Sequence, residues 1–472
     1  MKYRRMWWVG LVILVFSFSC DQDDAPVSEN EYVNNWILEN MQFWYYWNLE
    51  LPDNPNRALA PEPFFESLLS NSDRFSWIQE DFQELLASLQ GVNKEAGYEF
   101  VLYQDGNNPG NVLAQILYVK TGSPAAAAGL KRGDIIDKIN NQQLTESNYQ
   151  SVLGQIGEPH TITFRPQIDF TSFGTATTIS LATVEIAENP NFLSEIYTYG
   201  DKKIGYYVYN LFSTGPTNTS TIYNEEMDEI FASFKAQGIT DLIVDLRYNS
   251  GGAESATQNL ASLIGKGVNN TKIFTKRQYN SQVNNEIIND PELGSSFLEV
   301  KFLNKTQNIG NQLTRVYILT GSRTASASEL LINGLTPFMD VVLIGRKTVG
   351  KNVGSITLYE ENDARNTWGM QPIVVRSFNS LDQSDYSNGF IPHIEDLDNS
   401  LTLYPLGDPR ERLLNIALEE ITGTPVNGRR APAERFDREV LATSFDNKAI
   451  TNQLIIDPAV GQALQTIRKR KQ

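Results

Sequence analysis

The sequence predicts a multidomain α/β protein, with a helical N-terminal segment, a β-rich domain behind it and a larger region of alternating strands and helices. Three observations carry this expectation. Trp36, Ile37, Met41, Trp44 and Trp47 recur at three- and four-residue steps, the period of a buried helix face. From about residue 91 the period shortens to two, as in Gly97-Tyr98-Glu99-Phe100-Val101-Leu102-Tyr103. From Phe192 to about Thr422, apolar strand-like runs such as Thr240 to Leu246 and Thr314 to Leu319 alternate with helical runs such as Tyr223 to Gln237. A chain of 472 residues, 41% hydrophobic and 20% charged, has room for two or three globular domains with their own cores.

The N-terminus stands apart in composition. Lys2, Arg4 and Arg5 form a cationic start, and the apolar run from Met6 to Phe18 is too short to span a bilayer comfortably, so it reads as a signal-peptide core. It ends in Ser17-Phe18-Ser19-Cys20, which resembles a bacterial lipobox and makes Cys20 the expected lipidation site. Cys20 is also the only cysteine, so no intramolecular disulfide can form. Asp21, Asp23 and Asp24 follow; they are either a solvated linker or a stretch resembling the export signal of Bacteroidetes surface lipoproteins. The expected location is the cell envelope, as an outer-membrane lipoprotein facing either the periplasm or the cell surface.

Residues 21–29 are polar and contain Pro26, as a tether would. The helical segment spans 30–90, with further helical runs from Pro63 to Leu69 and from Gln79 to Leu89. Over 91–185 the sequence reads as strands and turns. Within it, Gly122-Ser123-Pro124-Ala125-Ala126-Ala127-Ala128-Gly129-Leu130 leads to Arg132-Gly133-Asp134-Ile135-Ile136-Asp137-Lys138-Ile139-Asn140. Ser123 can cap a short helix, Gly129 can end it, and Gly133-Asp134 can turn into a strand. This stretch resembles the second half of a PDZ domain as found in bacterial proteases. The resemblance implies a peptide-binding loop at Gly97, Tyr98, Glu99 and Phe100, where an extended polypeptide would add to a sheet edge. Glu99 is an unusual neighbour for a ligand's terminal carboxylate.

The α/β region, 186–425, carries two strand-to-turn transitions of catalytic character. One is Asp245-Leu246-Arg247-Tyr248-Asn249-Ser250-Gly251-Gly252. The other is Thr320-Gly321-Ser322-Arg323-Thr324-Ala325-Ser326-Ala327-Ser328-Glu329, opening the apolar helical run from Leu330 to Leu335. A small-residue turn that opens a helix leaves backbone N–H groups and the positive end of a dipole available to a nucleophile and a developing oxyanion. With Thr348-Val349-Gly350-Lys351 downstream, these motifs resemble the carboxyl-terminal processing (tail-specific) protease family, over about residues 90–400. The interval from Ser326 to Lys351 matches that family's nucleophile-to-base spacing. The resemblance implies a crotonase/ClpP-like α/β core, Ser326 as nucleophile rather than Ser322 or Ser328, Lys351 as base, and the amides of Ala327 and Gly251 as the oxyanion hole, with Gly252 a near-equal candidate. It departs at Ser355, where many relatives carry a glutamine that orients the lysine; Asn352 is a possible substitute.

Chemistry points the same way without the family. A serine nucleophile needs a base, and the chain has two histidines, His160 and His393, neither in a recognisable motif. A buried lysine with a lowered pKa can serve instead. The expected activity is that of a serine endopeptidase acting on unfolded or C-terminally exposed polypeptide, recruited through the PDZ-like domain; the rival reading is a catalytically silent peptide-binding lipoprotein. No metal site or cofactor is expected, because two scattered histidines and one cysteine offer no ligand set. A net charge of −17 at pH 7 argues against a nucleic-acid partner. Oligomeric state is left open. Beyond 425 the chain becomes Pro/Arg-rich and then weakly helical, and 426–472 reads as a C-terminal tail with a solvated basic end.

Overall fold

The computed structural model describes residues 28–217, 219–426, 440–446, 454–456 and 458–469. Lys2, Arg4, Arg5, Cys20 and the acidic stretch behind it therefore lie outside the described residues.

The helical segment begins where the sequence offers a cap. Ser28 Oγ accepts the Glu31 N–H at the head of the Glu29–Trp44 helix, and Asp81 caps Phe82–Leu89 through Gln83 and Glu84. Pro61 opens the Pro61–Ser67 helix at a position where its missing N–H costs nothing. One part of the expectation fails here. Gln79 ends the strand Trp77–Gln79 rather than opening the last helix, which begins at Phe82, and this strand pairs antiparallel with Gly369–Gln371 of the α/β region. Its hydrogen-bond partner is nearly 300 positions away, so no local pattern could announce it. The segment does not close its own core either: Trp44, Tyr45, Phe64 and Phe65 pack with Tyr279, Val283, Val374 and Val375.

The β-rich domain orders its strands as Thr177–Leu181, His160–Arg165, Ile135–Ile139, Val112–Val119 and Tyr98–Gln104, all antiparallel. Ser123 caps the short Pro124–Ala127 helix, and Gly129 follows it at φ +82°. Asp134 stabilises the next turn by accepting the Lys131 and Gln167 amides.

The α/β region centres on a six-stranded sheet ordered Asn191–Tyr199, Lys202–Tyr209, Asp241–Asp245, Arg315–Thr320, Asp340–Gly345 and Ile394–Glu395. All neighbours after the first pair are parallel. Such strands are buried on both faces, which is why Asp241–Asp245 and Arg315–Thr320 read as nearly continuous apolar runs. Ile222–Gln237, Glu254–Ile264 and Ala327–Leu335 cover one face, with Phe231, Leu260 and Leu330 in its core. Arg412–Thr422 covers the other through Leu413, Leu414 and Ala417. The three catalytic-type motifs leave the carboxyl ends of three adjacent parallel strands, where ligand sites of open α/β sheets form.

The C-terminal part does not stand apart from this body. Val440–Thr443 extends the β-rich sheet beyond Tyr98–Gln104, and Leu454–Ile455 lies between Gly252–Ala253 and Val353–Ser355 in a second sheet of the α/β region. Pro458–Lys469 is helical, and Leu464 joins the core of the N-terminal segment.

A buried ion network ties these parts together. Arg247 bonds Asp245, Asp398 and Glu411, and Glu411 caps the Arg412–Thr422 helix through Leu414 N–H. Arg132 of the β-rich domain reaches Glu411, Tyr248 and the Tyr404 carbonyl. Removing one member of such a network strands buried charge. The Arg247→Met variant is therefore expected to lose about 3–5 kcal/mol of stability. Urea unfolding should show a lower midpoint at an unchanged slope.

Candidate active site

The Arg315–Thr320 strand runs into a turn whose geometry allows no other residue at its first position. A Cβ on Gly321 would sit 2.3 Å from the Arg247 carbonyl oxygen of the neighbouring turn. Thr324 Oγ1 takes the Gly321 N–H and donates to the Leu246 carbonyl at 2.8 Å, fastening the two turns together. Ser326 follows at φ +59° and ψ −111°, a conformation that costs an L-residue of order 1–3 kcal/mol and persists only where the surroundings impose it. Ser326 is fully buried. The Ala327–Leu335 helix starts immediately after it, so the first helical amides lie beside its Oγ.

Glu329 imposes the conformation. Its carboxylate, fully buried, accepts the Ser326 N–H at 2.8 Å, the Gly350 N–H at 2.7 Å, the Lys351 N–H at 2.8 Å and the Thr348 hydroxyl at 2.6 Å. One side chain thus clamps the Ser326 turn to the Thr348–Lys351 loop. Burial pushes the Glu329 carboxyl above the ordinary carboxylate range against the pull of these four donors.

Lys351 is equally buried. Desolvation lowers its pKa from 10.5 to about 7, outweighing the opposing pull of Asp73 and Glu329. Its Nζ stands 4.9 Å from the centre of the Phe75 ring. Asp73 and Phe75 come from the N-terminal segment, which the sequence had marked only as a helical cap. Asp73 is held by accepting the Tyr45 hydroxyl and the Phe75 and Ser76 amides.

In the neighbouring turn, the Gly251 N–H donates to Asn249 Oδ1 at 2.9 Å. Gly252, at φ +130°, lies so close to Phe212 that a Cβ would meet its carbonyl oxygen at 2.1 Å. Asn249 ties the assembly together: its Nδ2 donates to the Tyr209 carbonyl, and its own carbonyl accepts the Ser328 hydroxyl from the Ala327–Leu335 helix.

Downstream of the lysine, Ser355 Oγ donates to Gln371 Oε1 at 2.6 Å, so a carboxamide does stand beside the departing position, supplied by another strand. Asn352 donates to Ser384 instead. The histidines are engaged elsewhere. His393 Nδ1 accepts the Leu343 N–H, and His160 Nε2 bonds the Tyr98 hydroxyl inside the β-rich domain.

In the expected peptide-binding loop, Gly97 has φ +84° and packs against Ser123. Tyr98, Glu99 and Phe100 are all buried, and Phe100 packs in the core of the β-rich domain. Glu99 faces Lys120, which also pairs with Glu95 and Glu188.

A buried serine on a strained turn, a buried lysine of lowered pKa and a strand-edge domain ahead of an α/β core define a serine-type peptidase. The comparisons with known proteins agree. Residues 203–394 match Peptidase family S41, residues 32–77 the Peptidase S41 N-terminal domain, and residues 115–166 a PDZ domain. The chain belongs to peptidase family S41. It is 25% identical over 347 residues to a carboxyl-terminal-processing protease of Picosynechococcus sp., covering 71% of this chain and 74% of that protein. The solved structure of an S41 protease from Bacteroides fragilis is similar at 27% identity with a TM-score of 0.68, over 82% of this chain and 97% of that one.

If the Glu329 clamp sets the site, Glu329→Gln, which offers one acceptor oxygen and turns an amide N–H2 toward N–H donors, misplaces both Ser326 and Lys351. A loss of about 10²-fold in kcat/KM is expected. Labelling of Ser326 by a serine-reactive phosphonate should slow in parallel; an unchanged labelling rate would exclude the clamp.

Proposed function

We propose that this peptidase works as a Ser326–Lys351 dyad endopeptidase on extended polypeptide segments. The observation that carries the reading is the clamp of Glu329 on both residues, with Lys351 dry enough to be neutral near pH 7. Neutral Lys351 takes the Ser326 hydroxyl proton as Oγ bonds to the peptide carbonyl carbon. The carbonyl electron pair moves to oxygen, where the Ala327 N–H at the helix head is the donor best disposed to receive it. As the C–N bond breaks, the lysine ammonium returns its proton to the leaving amine. A water then gives a proton to Lys351 as its oxygen bonds to the acyl carbon, and the ammonium returns that proton to Ser326 Oγ as the ester bond breaks. The PDZ domain supplies the sheet edge to which substrate is recruited. The Picosynechococcus relative, a carboxyl-terminal-processing protease, supports substrates with exposed C-terminal segments. We further propose that Cys20 carries the lipid that anchors the protein at the outer membrane. Lipid labelling of the full chain should disappear in Cys20→Ser.

Ser326→Ala is expected to abolish cleavage of an unfolded protein while leaving its binding intact, followed by mass spectrometry and by anisotropy. Residual proteolysis by the folded variant would end the proposal. Because Lys351 must be neutral, kcat/KM should fall about tenfold per pH unit below pH 7 and level off above it. The same group contributes to stability with a defined sign. Unfolded, it keeps its proton up to about 10.5, whereas folded it releases it near 7, so between these values the unfolded state binds more protons and stability rises with pH. Lys351→Met should abolish both effects.

A further inference from the structure

We infer that the PDZ domain of this protein is occupied by the chain's own residues 440–446, a displaceable internal ligand that an extended, internal polypeptide segment of substrate must replace at the same sheet edge. The inference rests on the peptidase reading above only for the identity of the competitor.

The occupied edge is the one that the peptide-binding loop leads into. Val440, Ala442 and Thr443 pair antiparallel with Tyr103, Leu102 and Val101 of the Tyr98–Gln104 strand. The added strand therefore runs toward Gly97-Tyr98-Glu99-Phe100, the direction in which strand addition brings a ligand's C-terminal end to that loop. Leu441 and Ala442 pack against the domain core. At the loop, Ser444 N–H donates to the Phe100 carbonyl and Ser444 Oγ accepts the Phe100 N–H at 2.9 Å. The same hydroxyl donates to Glu99 Oε2 at 2.5 Å. A serine hydroxyl thus stands where a terminal carboxylate would otherwise be received.

The chemistry of the loop explains the choice of ligand. Glu95, Glu99 and Glu188 surround the single ammonium of Lys120. Arg323 is the other cation that acts on Glu99, paired with Asp446 while the internal strand is in place, so a free C-terminal carboxylate would join three carboxylates that face only the Lys120 ammonium and the Arg323 guanidinium. A hydroxyl that donates to Glu99 suits this site, and the chain can then turn away, as it does through Ser444–Asp446. The site therefore favours internal segments with Ser or Thr opposite Phe100 over free C-termini.

The same corner touches both catalytic turns. Arg323, three residues before Ser326, bonds Thr443 and Asp446 and lies 5.0 Å from the centre of the Phe445 ring. Phe445 is buried with Tyr118 of the PDZ domain and Tyr248 of the Asp245–Gly252 turn. Exchange of the internal strand for substrate would remove these contacts from Arg323 and Tyr248, coupling occupancy of the edge to the turns that carry the chemistry.

The test uses the chain over residues 21–472, which contains no cysteine, with Val101→Cys and Thr443→Cys introduced. These positions are direct cross-strand partners, and such pairs stand about 4.5–5.5 Å apart, within disulfide reach. Reduced, the variant lacks the Thr443 hydroxyl contact to Arg323, so the internal strand is weakened; oxidised, it is locked in place. A fluorescent peptide with the sequence of residues 440–446, blocked at both ends, is titrated into each form in a Ser326→Ala background. Binding at least tenfold tighter to the reduced form is expected, and with Ser326 restored, KM for an unfolded protein should rise at least tenfold on oxidation and recover on reduction. A peptide with a free C-terminus should bind more weakly than the blocked one. Equal binding to both forms, or binding to neither, overturns the inference. If binding follows the lock while neither form cleaves protein, the internal ligand stands and the peptidase reading falls.

Discussion

The geometry around Ser326 and Lys351 depends on one buried carboxylate. Glu329 accepts four hydrogen bonds from Ser326, Thr348, Gly350 and Lys351, three of them from backbone amides. A carboxylate without such partners would be costly to bury, and the two loops without a common acceptor would leave orphaned N–H groups in the same place. Each side solves the other's problem, and the outcome is rigidity where Ser326 is held in a disfavoured backbone conformation. The acceptor also sits close enough to Lys351 to favour its charged form, yet burial prevails and the amine is held near neutrality.

The sequence made the order of these motifs legible, because each is a strand followed by a compact turn and such turns carry their own residue signatures. The turns could be located for that reason, while the choice of Ser326 and Lys351 within them rested on the family resemblance, and the alternating and helical periods marked the three architectural parts. Glu329 was visible only as a first-turn carboxylate suited to a helix dipole. Its contacts with Thr348, Gly350 and Lys351 are long-range and leave no local pattern. The same holds for Gln371, brought to Ser355 by strand pairing, and for Asn249, whose side chain accepts the Gly251 amide. Short strands such as Trp77–Gln79, Val440–Thr443 and Leu454–Ile455 are specified by the edges they complete rather than by their own propensities, so reading along the chain could not find them.

Those short strands account for much of the integration of the molecule. Leu454–Ile455 joins Gly252–Ala253 to Val353–Ser355, linking the turn beside the nucleophile to the strand that follows the lysine. Val440–Thr443 covers a sheet edge that would otherwise present unpaired backbone groups. The Arg247 network does by charge what these strands do by hydrogen bonds, since Arg132 and Glu411 belong to different domains and meet beside the Asp245–Gly252 turn.

The N-terminal segment belongs to the surroundings of Lys351 on the same physical grounds. A lysine becomes a base near pH 7 only where water is excluded from its ammonium, and exclusion requires a wall on every side. The clamp provides one wall, and Phe75 provides another at 4.9 Å from Nζ. Phe75 keeps its place because Asp73 fixes the turn, Tyr45 fixes Asp73, and Tyr45 is buried in a core shared with Tyr279 and Val375 of the α/β region. The helical segment is thus no detachable cap. Its aromatic face closes the core that presents Phe75, and the low pKa of Lys351 is a property of both parts at once.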